Sequence, residues 1–244
     1  MTEQIIYSVE GESDAFKAAV AGAQATFKYF WRELSWEARR IVKGLDMAAV
    51  KMSFPIESDD PAVPGVENMW VSDVEFDGQS ITGVLMNEPS WATSFKAWEP
   101  VTLPLALLND WMYVRQGHVY GGFTVDAIRA DMADDERQEH DEAWGLDFGE
   151  PGFVEVVPAA EGQQPVLLSR TLGTAEDQQA LAALENEDVN DQELEDDRLI
   201  GAEHGARGNA EQEGVADVAG RAGNRHADGF PGSHGSSPGC ALRG

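Results

Sequence analysis

One dipeptide constrains this chain more than any other: Asp77-Gly78, set between Met69-Trp70-Val71-Ser72-Asp73-Val74-Glu75-Phe76 and Ile81-Thr82-Gly83-Val84-Leu85-Met86. Both central residues of the tight turn that closes a hairpin need positive φ. An Asp-Gly pair between alternating β-rich runs is therefore the strongest short-range hairpin signal. A hairpin here commits its surroundings to an antiparallel sheet. The stretch from Val66 to Thr124 supplies further strand-like runs, Val101-Thr102-Leu103, Trp111 to Arg115 and His118-Val119-Tyr120. Four of the seven tryptophans lie within it, at Trp70, Trp91, Trp98 and Trp111.

Around this sheet the periodicity changes. Ser13 is placed to cap a helix whose apolar residues, Phe16, Val20, Ala23, Phe27, Phe30 and Leu34, step by three and four. Ser35 offers a cap for a second short helix, Trp36 to Lys43, stopped by Gly44. Val50, Met52 and Phe54 alternate with polar neighbours and read as a strand. On the same alternation Trp70, Ser72, Val74 and Phe76 share one face, and Gly83 marks a bulge or a close backbone approach. Thr124 is expected to cap a helix to about Met132 and Asp134 another to Trp144, ended by Gly145, before a last strand at Phe153 to Val157. Helices at both ends of a meander of strands predict an α+β fold, an antiparallel meander sheet flanked by N-terminal and C-terminal helices.

Composition divides the chain. All seven Trp and nine of ten Phe lie between Phe16 and Phe153, and beyond Thr171 a single aromatic, Phe230, remains. The expectation is an α+β domain over 1–158 and an acidic linker over 159–200, with one possible helix, Ala175 to Leu184, capped at Thr174. A disordered Gly/Ala/Arg-rich tail is expected over 201–244, since it offers almost nothing to bury. Residues 2–9 read as a short strand or extended arm.

The net charge is −27. Up to Arg170 there are 12 Lys+Arg against 29 Asp+Glu (−17), and beyond it 5 against 15 (−10). Nucleic acid and anionic membranes both require basic surface, so neither is an expected partner. No apolar run approaches the roughly 18 residues of a membrane span, and the N-terminus lacks the apolar core of a signal peptide. With Cys240 as the one cysteine, no internal disulfide forms. The expected compartment is the cytoplasm.

Several residues are candidates for chemistry. Pro89 holds Glu88 out of the α region, so Asn87-Glu88-Pro89 at a strand exit presents a carboxylate near Trp70 and Trp91; turn chemistry explains the same residues. Trp70, Trp111, Tyr113 and Tyr120 could line a groove or fill a core. Gly121-Gly122 before a helix start could receive an anion on free N–H groups, or simply make a tight turn. Asp110 and Glu88 are the acids a hydrolase reading would use as general base. His118 and His140 have no His or Cys at ligand spacing, which leaves no metal site and no cofactor fingerprint.

Asn68-Met69-Trp70-Val71, the Asp77-Gly78 turn, Gly83 before Asn87-Glu88-Pro89, Asp110-Trp111-Met112 and Gly121-Gly122-Phe123-Thr124 together resemble the bacterial YegJ-like family, domain of unknown function family 2314. Ala25-Thr26-Phe27-Lys28-Tyr29-Phe30-Trp31 and Ala143-Trp144-Gly145-Leu146-Asp147-Phe148-Gly149 resemble the flanks of its longer members, so the likeness runs from about Phe16 to Pro158. It implies a fold family and carries over no catalytic residues. The reading that follows is a non-enzymatic module binding a protein partner or small ligand. The alternatives are an acidic inhibitor or immunity-type protein meeting a basic partner, and a hydrolase using a loop carboxylate.

Overall fold

The structure, a computed structural model, describes residues 13–58, 60, 62–159 and 162–185. The arm expected at 2–9, the tail expected at 201–244 and most of the acid-rich run before it lie outside these residues.

The chain opens with α1 (Asp14–Arg39), a single helix of 26 residues capped by the Ser13 hydroxyl, which accepts the Phe16 N–H. The break expected at Ser35 does not occur. Ser35 Oγ donates back to the Trp31 carbonyl, a bond available to a serine inside a helix, so the residue is absorbed rather than used as a cap. The buried face of α1 is wider than its apolar stripe, taking in Ala19, Gly22, Thr26, Tyr29, Glu33 and Glu37. Arg40 pairs with both buried acids, Glu33 at 2.7 Å and Glu37 at 2.8 Å, and Glu37 also accepts the Gly44 and Leu45 N–H groups.

Six antiparallel strands follow: β1 (Met47–Pro55), β2 (Val66–Phe76), β3 (Ser80–Leu85), β4 (Pro100–Pro104), β5 (Leu108–Arg115) and β6 (His118–Gly121). Their order in the sheet is β4-β3-β2-β1-β5-β6, so β1 sits centrally between its neighbour in sequence and β5. A 3-10 turn, Leu105–Leu107, joins β4 to β5. Then come α2 (Phe123–Asp131), α3 (Asp134–Trp144) and a separate hairpin of β7 (Phe153–Glu155) with β8 (Leu167–Ser169). The architecture is α+β, as the pattern of runs implied.

One face of the sheet is the core. Phe27 and Phe30 of α1 pack there with Val50, Met52, Phe54, Val71, Leu85 and Trp111, and Phe27 meets the ring of Phe76 edge-on at 5.4 Å. The hairpin between β2 and β3 is present, but its turn is centred on Gly78-Gln79 rather than Asp77-Gly78: Asp77 N–H donates to the Ser80 carbonyl at 3.3 Å, Gly78 takes φ +96°, and Asp77 stays out of the positive-φ region, its carboxylate accepting the Gln79 and Ser80 N–H groups. The face assignment of β2 is corrected by a bulge. Asp73 takes φ +51°, and the β2–β3 register shifts between Ser72 and Glu75. An inserted residue reverses the parity of alternation. Trp70 and Ser72 therefore face outward while Val74 and Phe76 turn in. Gly83 lies opposite this bulge, where a Cβ would overlap the Ser72 carbonyl and the Val71 side chain.

Beyond Pro158 the chain continues to pack. Leu168 of β8 and Leu184, in a helix described over 175–185, both belong to the core. That helix opens with a reciprocal cap: Thr174 Oγ1 accepts the Asp177 N–H and Asp177 Oδ2 accepts the Thr174 N–H, each at 3.0 Å. Asp177 also accepts the Ser169 N–H at 2.7 Å and the Ser169 hydroxyl, tying the helix to β8.

Candidate functional site

Opposed residues of antiparallel strands point to the same face. The registers of β1 place Lys51 opposite Trp70 on one side and Asp110 on the other, all on the face away from α1. Lys51 Nζ stands 5.7 Å from the centre of the Trp70 ring and 3.5 Å from Thr124 Oγ1. An ammonium has three donors. Thr124 is its one hydrogen-bond partner among the described residues.

Asp110 is wholly buried and accepts four hydrogen bonds: Trp111 N–H and Phe123 N–H on Oδ1, Thr124 N–H and the Thr124 hydroxyl on Oδ2. Thr124 does not cap α2 as expected. The cap position is Gly122, which has no side chain to offer, and the carboxylate comes from Asp110 across the sheet. A carboxylate at a helix N-terminus meets both unpaired N–H groups and the favourable end of the dipole. Burial pushes the Asp110 carboxyl up, against the Thr124 hydrogen bonds and the Lys51 charge, and pushes the Lys51 ammonium down, against the Asp110 charge. Beside this row Asn109 Nδ2 donates to Ser53 Oγ and Asn68 Oδ1, continuing a polar strip across β5, β1 and β2.

The loop from Met86 to Glu99 leaves the end of β3 and packs Ala92 and Phe95 against the core, the Phe95 ring meeting Phe54 at 5.0 Å. Asn87 Oδ1 accepts the Trp70 N–H at 3.2 Å. Glu88 is exposed and accepts the Ala97 N–H at 3.4 Å. The carboxylate that organises the loop is Glu67, which accepts the N–H groups of Ser90, Trp91 and Ala92 at 2.7–2.9 Å. At the loop's return, Leu85 bonds both Trp98 (2.8 Å) and Glu99 (3.1 Å), so two residues oppose one, and Trp98 adopts φ +66°. Trp98 is 73% exposed and Trp91 48%.

The aromatic candidates divide between two faces. Trp70 faces outward with Lys51, whereas Trp111, Tyr113 and Tyr120 lie on the α1 side. There Trp111 Nε1 donates to the Ala23 carbonyl, the Tyr113 hydroxyl donates to the Val156 carbonyl, and Tyr120 stacks on Tyr113 at 4.9 Å. Gly121 and Gly122 do form the tight turn, at φ +79° and +78°. The amides that follow them already bond Asp110, and Gly122 N–H bonds the Trp111 carbonyl. Sequence reasoning missed Lys51, Glu67 and Trp98. Only Lys51 left a signal, as the polar partner of an alternating strand.

Residues 13–148 match the family described as "Uncharacterized protein conserved in bacteria (DUF2314)". The chain belongs to this family. It is 46% identical over 157 residues to a Neisseria meningitidis serogroup B protein named "Putative ankyrin repeat protein", covering 64% of this chain and 61% of that one. It is 29% identical over 73 residues to the Escherichia coli K12 protein YegJ, covering 30% of this chain and 48% of that one. The chain thus spans about three fifths and about half of these two curated relatives. No solved structure matches it. Among the described residues, no helix is long and apolar enough to cross a membrane.

Proposed function

We propose that this DUF2314 protein is a non-enzymatic cytoplasmic module that binds a protein partner through the outer sheet face and the loop from Met86 to Glu99. The observation that carries this reading is Trp98. Left-handed backbone costs an L-residue about 1–2 kcal/mol, which glycine at the same bulge position avoids. Leaving an indole 73% exposed forgoes the burial that would offset that cost. Strain and exposure together at one residue point to use rather than to folding. Glu67 holds the rest of the loop in place, so Trp91 and Trp98 are presented on a fixed frame, and tryptophan is the residue most enriched among binding hot spots. The ankyrin-repeat name of the Neisseria relative is consistent with an interaction role.

The charge of −27 supports a second reading, an inhibitor or immunity-type protein whose partner is basic. The hydrolase reading has less support, because both oxygens of Asp110 are engaged in holding α2 and Glu88 has no buried surroundings.

Trp98→Gly tests the proposal. Thermal unfolding should show stability kept or raised by up to about 1 kcal/mol, since the strain disappears. Affinity for a partner recovered by pull-down at low salt should fall about tenfold or more, as for a tryptophan hot spot. Undiminished affinity would rule out the loop as the contact. Loss of that partner at high salt would favour the basic-partner reading.

A further inference from the structure

His118, at the start of β6, stands between two carboxylates that come from different parts of the chain. Its Nδ1 lies 3.0 Å from Asp147 Oδ2, in the segment after α3, and its Nε2 lies 3.3 Å from Glu155 Oε1 on β7. The Asp147 side is fixed by backbone: Val119 N–H donates to the Asp147 carbonyl and Asp147 N–H to the Gly117 carbonyl, each at 2.9 Å. The Glu155 side has no such support. β7 and β8 form a sheet of their own, so among the described residues no ladder joins this hairpin to β6.

A carboxylate at each ring nitrogen sets a requirement on the proton count. A neutral imidazole has one N–H and one lone pair, and only the imidazolium has two donors. With the ring neutral, one nitrogen turns its lone pair on a carboxylate oxygen. Glu155 is the partner that loses. Its contact is the longer one, and its side chain is 16% exposed against 69% for Asp147, so water replaces a lost bond less readily there. Among the described residues the Glu155 side chain has no other ion pair or hydrogen bond. Asp147 bears the mark of the pairing: the His118 hydrogen bond, with that of the Gly149 N–H, holds its carboxyl below the usual range against burial.

Other charged and titratable groups surround the ring. Arg115 lies opposite it in register on β5, the Tyr120 ring meets it edge-on at 5.0 Å, and Asp46 accepts the adjacent Gly117 N–H at 3.0 Å. Asp126 and Arg129 of α2, and Glu150, line one recess with it. Asp126 accepts the Gly152 N–H just ahead of β7, and burial pushes its carboxyl up. His140 of α3 packs on Phe148 at 5.5 Å and contacts Asp141.

We propose that His118 is a pH-sensitive clasp on the β7–β8 hairpin. Protonated, it bonds Asp147 and Glu155 together and holds the hairpin against β6. On losing a proton it keeps Asp147 and releases Glu155. The charged ring is favoured more when the hairpin is docked, so docking is strongest at low pH and weakens as pH rises. The hairpin loosens without leaving, because Val154 and Leu168 stay in the core and the Tyr113 hydroxyl still bonds the Val156 carbonyl. Since Asp177 ties β8 to the helix over 175–185, the loosening reaches that helix as well. The clasp is separate from the loop and outer face assigned above, and it stands whether or not that assignment does.

Amide hydrogen exchange on the full chain, followed by NMR from about pH 5 to about pH 8, tests this, because a histidine changes charge across that span. After division by the intrinsic rate, which itself rises with pH, protection of the β7 and β8 amides should fall about tenfold or more, the usual worth of one charge-assisted hydrogen bond. The fall should share its midpoint with the His118 ring resonances, and the amides of β1 and β2 should show none. Glu155→Gln should remove the fall and keep protection at the higher pH, because the Gln amide donates to the neutral nitrogen. His118→Gln should remove the pH dependence too. Asp126→Asn and His140→Gln alter the neighbouring titratable groups and should leave the fall in place. Four outcomes overturn the clasp: hairpin protection that does not change with pH, an equal change in β1 and β2, a fall that survives Glu155→Gln, or one that either control variant abolishes. The first two are read on the unaltered chain, so a variant that failed to fold would still leave a decisive measurement.

Discussion

Asp110 and Lys51 face each other across β1 and β5, yet their removal should have unequal consequences. Asp110→Ala strips the acceptor from four buried donors and leaves the Lys51 ammonium without its counter-charge, so a loss of roughly 3–5 kcal/mol is expected by chemical unfolding. Lys51→Met removes a half-buried charge whose desolvation is only partly compensated. The four donors stay satisfied, so the change should stay within about 1 kcal/mol. A comparable loss in both would mean that Lys51, rather than the N-terminus of α2, is what holds the carboxylate. None of this was legible locally. Asp110 sits in a plain strand run, and what it caps lies 13 and 14 residues further on, across a turn whose two glycines suggested an open anion site. Trp98 was hidden for a related reason, because a tryptophan at positive φ contradicts every local preference.

The elements themselves were largely readable, because amphipathic period and turn chemistry are local signals. The stripe from Phe16 to Leu34 gave α1, and the Asp-Gly pair gave β2 and β3. What failed was parity. One inserted residue at Asp73 moved Val74 and Phe76 to the core while Trp70 stayed outside, and no periodicity count detects an insertion. Phe27→Ala should cost about 3–5 kcal/mol, given its burial against Phe30 and Phe76; a loss under about 1 kcal/mol would mean that helix and sheet are not packed as described. The helix at 175–185 depends on acidity. Burial tends to raise the Asp177 carboxyl, but hydrogen bonds from Ser169 and Thr174 outweigh it and hold the group below its usual value. A depressed folded-state pKa stabilises above the unfolded value and is lost as pH falls through the folded one. The contribution should therefore be complete at neutral pH and vanish as the solution is acidified below about pH 4, the ordinary aspartate range. Asp177→Asn should flatten that part of the stability–pH curve.

For the molecule as a unit, the aromatic distribution suggested that packing stops near Pro158. We place the boundary of the packed unit later, because Leu168 and Leu184 are buried in the same core as Phe30 and Trp111. A chain truncated after Pro158 should lose the β7–β8 pairing and melt several degrees lower, since even 1 kcal/mol shifts a domain of this size by about 2–4 °C. An unchanged melting temperature would return the boundary to Pro158. The described fold also differs at its two sheet margins. β4 begins and ends in proline, at Pro100 and Pro104, and neither residue has an N–H to offer an incoming strand. At the opposite margin β6 is four residues long and is bridged by Asp147 at His118. Neither border can template another chain well, so stacking into cross-β fibres and recruitment of a partner by strand addition are both disfavoured. A crowded, highly expressed cell could therefore accumulate this protein without its sheets growing into one another.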